Sequence, residues 1–115
     1  MKLIVALIQP PKLLAVVAAL QQAGVERLTI CDAHGFGRQG GQIDPAISSQ
    51  VPAKMLRKLA LEIVVNDDFV EQTVATLEEA AKSGAGGSIG DGKILVVPVE
   101  EVIQLNDGQR GPGAV

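Results

Sequence analysis

Lys58-Leu59-Ala60-Leu61-Glu62-Ile63-Val64-Val65 is an eight-residue run of aliphatic and β-branched residues with one carboxylate inside it. Such a run reads as a strand. Asp68 then stands three residues before Glu71, the spacing of a capping box, so a helix is predicted to begin there. That helix carries Phe69, Val70, Thr73, Val74, Leu77 and Ala81 inward and ends at Gly84. Residues 94–97 form a further strand, stopped by Pro98. The first half of the chain repeats this unit. Residues 2–8 are a short apolar strand closed by Gln9-Pro10-Pro11, and residues 28–33 are another. Between them, residues 12–23 place Leu13, Val16, Val17 and Leu20 on one helical stripe, with Gly24 at the position after the helix end.

Two strand–helix–strand units in this length predict an α+β fold, a ferredoxin-like βαββαβ sandwich. It has four antiparallel strands and both helices on one face. Residues 3–8 and 61–65 are apolar on nearly both strand faces, whereas helices cover only one. A second copy of the chain is the expected cover for the other, which predicts a homo-oligomer. Residues 99–103 are expected as a short helical turn or an edge strand, and residues 108–115 as a flexible tail.

The bulk properties narrow the function. At 115 residues the chain is one domain, spanning residues 1–115. Phe36 and Phe69 are its only aromatic residues and the net charge is −3, which argues against nucleic acid as a partner. One cysteine, Cys31, leaves no internal disulfide. No apolar run has membrane-spanning length and Met1-Lys2-Leu3-Ile4-Val5 lacks a signal-peptide layout, so a cytoplasmic protein without direct membrane insertion is expected.

Two glycine-punctuated loops carry the chemistry. They are Gly35-Phe36-Gly37-Arg38-Gln39-Gly40-Gly41 and Ser83-Gly84-Ala85-Gly86-Gly87-Ser88-Ile89-Gly90-Asp91-Gly92-Lys93. Glycine lets backbone N–H groups crowd an anion, and an adjacent cation supplies charge. Each loop abuts a strand, so the pair points to a phosphate-bearing ligand.

Gly35-Phe36-Gly37-Arg38-Gln39, Leu61-Glu62-Ile63-Val64-Val65, Gly90-Asp91-Gly92-Lys93-Ile94 and Pro98-Val99-Glu100-Glu101-Val102, in this order, resemble the P-II signal-transduction proteins of nitrogen and carbon regulation. The resemblance covers residues 1–39 and 58–105. It implies a ferredoxin-like homotrimer with sheets facing the centre and ligands in clefts between subunits. It also implies that residues 40–57 form a mobile loop that contacts a target, a membrane transporter or a metabolic enzyme. Carried over by position, an adenine nucleotide (ATP, ADP or AMP) would be held by Thr29, Gly37, Arg38, Gln39, Glu62 and Val64. Gly90, Asp91, Gly92 and Lys93 would surround its phosphates, at the end of a glycine-rich phosphate-side loop over residues 84–92. Gln39 would help to hold Mg²⁺, and Gln39, Gly41 and Lys58 would meet an effector, 2-oxoglutarate or bicarbonate.

The chain departs from the family pattern in three places. Gln104 and Asn106 stand where the family carries two phosphate-clamping arginines, and a charge-assisted hydrogen bond is worth about 1.5–3 kcal/mol. Arg110 is the nearest cation in sequence. The loop before Gly90 is a few residues longer than the usual form. The chain has no tyrosine, and Val51 sits at the position that is uridylylated in part of the family. With two prolines and small polar residues, the 40–57 loop reads as an interaction segment with a changed partner.

Other residues have plain expectations. Cys31 reads as a small buried hydrophobe and His34 as a surface histidine. Cys31 and Asp32 point to opposite strand faces, so with His34 they do not converge on a metal. Glu100-Glu101 is expected as a solvated pair, and Glu62 should be paired or hydrogen-bonded, at a subunit interface. A non-enzymatic sensor is the leading function. The alternatives are a slow nucleotide hydrolase, for which no nucleophile or acid–base pair stands out, and a trimeric metal-tolerance or scaffold protein, against which sparse Cys and His count.

Overall fold

A computed structural model of the chain describes residues 1–36 and 55–115. The elements are β1 (Lys2–Ile8), α1 (Leu13–Gln22), β2 (Thr29–Phe36), β3 (Met55–Val65), α2 (Val70–Ala81) and β4 (Gly92–Pro98). The strands form one antiparallel sheet in the order β2-β3-β1-β4. This is the ferredoxin-like sandwich expected from the duplicated unit.

Period-2 alternation sets which strand residues meet the helices. Ile4, Ala6 and Ile8 of β1, with Leu59, Leu61, Ile63 and Val65 of β3, are buried in one cluster. Val16 and Leu20 of α1 and Leu77 of α2 close over them, each with no exposed surface. Thr73 is equally buried, and its hydroxyl donates to the Phe69 carbonyl at 2.7 Å, which satisfies the one polar group on that stripe.

Helix α1 stops as the sequence requires. Gly24 has φ +88°, Val25 N–H donates to the Leu20 carbonyl at 2.9 Å, and Gly24 N–H donates to that of Gln21 at 3.1 Å. These two bonds are a Schellman motif, and only glycine takes that φ without strain. Helix α2 begins differently from expectation. The chain enters it through a 3₁₀ turn at Asp67–Phe69, and no side chain caps it. Asp68 and Glu71 therefore form no capping box. The helix ends at Ala81, where extended Lys82 turns the chain out three residues before Gly84. The neighbouring Asp67 instead accepts from the Met1 ammonium at 2.7 Å and from Lys2 Nζ at 3.1 Å.

The β2–β3 ladder is longer than the sequence suggests. It extends through His34↔Arg57 to Phe36↔Met55, so residues 55–57, expected in the loop, belong to β3. The remainder of that loop, residues 40–54, lies outside the described residues. Residues 99–103 form neither a helical turn nor a strand. An isolated bridge pairs Ile103 with Arg110, whose guanidinium forms an ion pair with Glu101. The segment expected as a flexible tail continues against the body. Asn66 Nδ2 donates to the Pro112 carbonyl at 3.2 Å, and Ala114 is buried. Among the described residues no helix is long and apolar enough to cross a membrane.

Candidate functional site

The sheet face turned away from the helices is apolar at its centre. Register places Leu3 between Val64 and Val97, Val5 between Glu62 and Leu95, and Leu7 between Ala60 and Lys93. Laterally paired residues share a face. Leu95 and Val97 remain 45% and 43% exposed, because nothing among the described residues covers them. Glu62 sits in the middle of this face, opposite Thr29 of β2. Its Oε1 accepts from the Cys31 thiol at 3.4 Å, and this carboxylate raises the thiol's pKa. Cys31 is thus not the buried hydrophobe expected. It lies on edge strand β2, exposed on the open face. His34 is exposed, as expected. Among the described residues no three His, Cys, Asp or Glu converge as metal ligands.

A polar cluster closes one end of the same face. Alternation along β1 runs Leu3, Leu7 and then Gln9, whose Nε2 donates to the Gly90 carbonyl at 2.9 Å. Lys58 Nζ donates to that carbonyl too. Lys58 is only 8% exposed, and burial lowers its pKa. No carboxylate lies within ion-pair distance of it among the described residues.

The loop that presents Gly90 is built on Asp91. Its carboxylate accepts from Ser83 N–H at 2.9 Å, from the Ser83 hydroxyl, and from Ser88 N–H at 2.8 Å. Those bonds hold its pKa down at about 2. Asp91 therefore shapes the loop from inside. Gly92 and Lys93 already belong to β4, with Lys93 exposed beside Leu7. Under the loop a groove of about 840 Å³ separates α2 from β4, with Leu77, Ala81 and Ile94 in its wall and Ser88 and Ile89 at its mouth.

The site residues named from sequence fall into two groups. Thr29, Glu62 and Val64 lie together on the open face at β2 and β3. Lys58, Gly90, Asp91, Gly92 and Lys93 gather at one end of it. Lys58 and Glu62 are four residues apart on one strand, about 13 Å at about 3.3 Å per residue. Val64 lies farther still, so a single chain does not bring the groups together. Gly37, Arg38, Gln39 and Gly41 lie outside the described residues. Gln9, Ser83 and Ser88 were missed in the sequence. Gln9 alone carried a signal, since it continues the alternation of β1.

The sequence matches the family model described as nitrogen regulatory protein P-II over residues 1–109. The chain belongs to the P-II family. It is 39% identical to nitrogen regulatory protein GlnK1 of Methanosarcina mazei over 115 residues, all of this chain and 97% of that protein. It is similarly 39% identical to a nitrogen regulatory protein P-II of Azospirillum brasilense and 42% identical to one of Nostoc punctiforme, over the full length of each. Family membership with this sheet order makes the chain a regulatory protein of ferredoxin-like architecture. Arg110, the cation nearest in sequence to Gln104 and Asn106, forms an exposed ion pair with Glu101 of its own chain. Gln104 is tied into the turn through its backbone N–H, which donates to the Gln109 carbonyl at 2.8 Å.

Proposed function

We propose that this chain is a non-enzymatic P-II sensor. It assembles as a homotrimer and binds an adenine nucleotide, with Mg²⁺, in the clefts between subunits. A small carboxylate, 2-oxoglutarate or bicarbonate, binds beside the phosphates. The segment 40–54 transmits the state of the cleft to a membrane transporter or metabolic enzyme. Such a device needs differential affinity for two loop states and no bond-making step.

One observation carries the reading. Thr29, Glu62 and Val64, expected in the nucleotide cleft, and the residues expected around the phosphates occupy separate places on one open, apolar sheet face. A second copy packed on that face would bring one group against the other and bury Leu95 and Val97 at the same time. The buried Lys58 ammonium, which has no carboxylate partner among the described residues, suits an anionic ligand. With Gln104 and Asn106 in place of two cations, ADP or AMP is favoured at least as much as ATP.

Calorimetric titration with ATP, ADP and AMP, each with Mg²⁺ and with or without 2-oxoglutarate or bicarbonate, tests this. Nucleotide binding at one site per subunit of a trimer supports it. A chain that binds no nucleotide as a confirmed trimer would refute it.

A further inference from the structure

The Asp91 carboxylate stands where a glycine-rich loop ordinarily receives an external anion. It accepts from Ser83 N–H at 2.9 Å, from Ser88 N–H at 2.8 Å and from the Ser83 hydroxyl. Backbone N–H groups that converge on one point from a tight loop form a general anion receptor. Gly87, with φ of +71°, lies against the carboxylate, and a β-carbon on it would come 3.4 Å from Asp91 Oδ2. The receptor and its anion thus both belong to this chain. Nearby cations feel the same charge. Burial works against the Lys58 ammonium, and the Asp91 charge partly offsets it. Besides Ser83 and Ser88, the Lys12 charge also favours the ionised carboxylate.

We propose that Asp91 is a positioning residue that serves as the resident anion of the 83–91 loop. It fills the receptor made by Ser83 and Ser88 and holds the loop in shape before any ligand arrives. It also leaves the phosphates to groups other than those three donors, a consequence that rests on the ligand reading given above. A carboxylate tethered within the loop competes at high effective concentration, so a free anion does not displace it. The loop is preorganised, and ligand binding need not order it. Removing the Asp91 side chain turns the filled receptor into an open one. Formate, the smallest carboxylate, then fits the vacated place and restores the donors' partner.

Amide proton and nitrogen shifts of Ser83 and Ser88 in full-length parent and Asp91→Gly protein test this. Formate is the probe, with potassium chloride holding the ionic strength constant. In the parent, formate should leave both amides unmoved. In Asp91→Gly it should move them saturably towards their parent positions. Formate that shifts the parent amides, or an Asp91→Gly loop that ignores it, would overturn the resident anion. If Asp91→Gly folds only in formate, that recovery is the same rescue, read by circular dichroism. If it does not fold at all, the parent titration decides. With MgATP added to the parent, the amides of Gly90 and Lys93 should move while those of Ser83 and Ser88 keep their positions. Ser83 and Ser88 amides that lose their low-field shifts on MgATP would show Asp91 displaced and sink the proposal. A parent that binds no MgATP removes the ligand reading, and the formate titrations still decide the resident anion.

Discussion

Gly92 approaches Leu7 so closely that a β-carbon on it would lie 1.7 Å from the Leu7 carbonyl oxygen. Its φ of +123° is also one that L side chains avoid. The glycine at this position is thus demanded by the β1–β4 ladder, where Gly92 pairs with Ile8. Its proposed place in a phosphate-binding loop would be a second use of the same residue. Gly92→Ala is expected to destabilise the chain by more than about 3 kcal/mol, through clash and backbone strain together. Urea unfolding followed by circular dichroism measures this. A loss under about 1 kcal/mol would mean that the start of β4 shifts freely away from β1.

Asp91 gives the 83–91 loop an acid limit. Its pKa is lowered from an ordinary 3.8 to about 2 by Ser83 and Ser88. A carboxylate with a folded-state pKa below its unfolded value stabilises fully above the unfolded value, and that contribution disappears as pH falls through the folded one. The loop should therefore be insensitive to pH from neutrality down to about 4 and open between about 4 and 2. Asp91→Asn, which turns an acceptor into a partial donor facing Ser83 N–H, should leave the loop loose at every pH. Proton chemical shifts of Ser83 and Ser88 amides across that range would show it. A titration of those amides centred near 4 in the parent would remove the brace.

How much of this was legible in the chain depended on the range of the interaction. The stripe Val16, Leu20 and Leu77, the helix stop at Gly24, and the two-faced apolar strands are local patterns, and all stand in the structure. The cap at Asp68 did not form, since the chain enters α2 through a 3₁₀ turn, and Asp67 pairs with the Met1 ammonium 66 residues away. Cys31 sits among aliphatic residues, yet its exposure follows from the place of β2 at the sheet edge, which only the pairing order fixes. In the site, the glycine loops and Lys58 were visible as residue types. That Lys58 reaches the carbonyl of Gly90, 32 residues on, was not.

Leu77 tests the core that carries all of this. It is fully buried between α2 and the sheet, and it also lines the groove beneath the 83–91 loop. Leu77→Ala removes buried methyl groups and leaves a void next to that groove, at an expected cost of about 3 kcal/mol. The midpoint of urea denaturation should fall with an unchanged slope. A cost near zero would mean that the groove lets α2 settle into the vacated space.

Val5 lies directly opposite both Glu62 and Leu95, at the middle of the open sheet face and on the side away from the buried cluster. Val5→Glu would set a second carboxylate against Glu62. Like charges paired across neighbouring strands are unfavourable, and burying them between copies is more so. The isolated subunit tolerates the change, because both groups reach water from an uncovered face. An assembly packed on that face does not. The variant is expected to keep its far-ultraviolet circular dichroism and to elute as a monomer in size exclusion with light scattering, and the parent is expected to elute as a trimer. Nucleotide affinity should fall with it, since the two groups of site residues would no longer be brought together by neighbouring copies. A Val5→Glu trimer with undiminished affinity would mean that the copies meet through another surface, and that Thr29, Glu62 and Val64 do not share a cleft with Gly90 and Lys93.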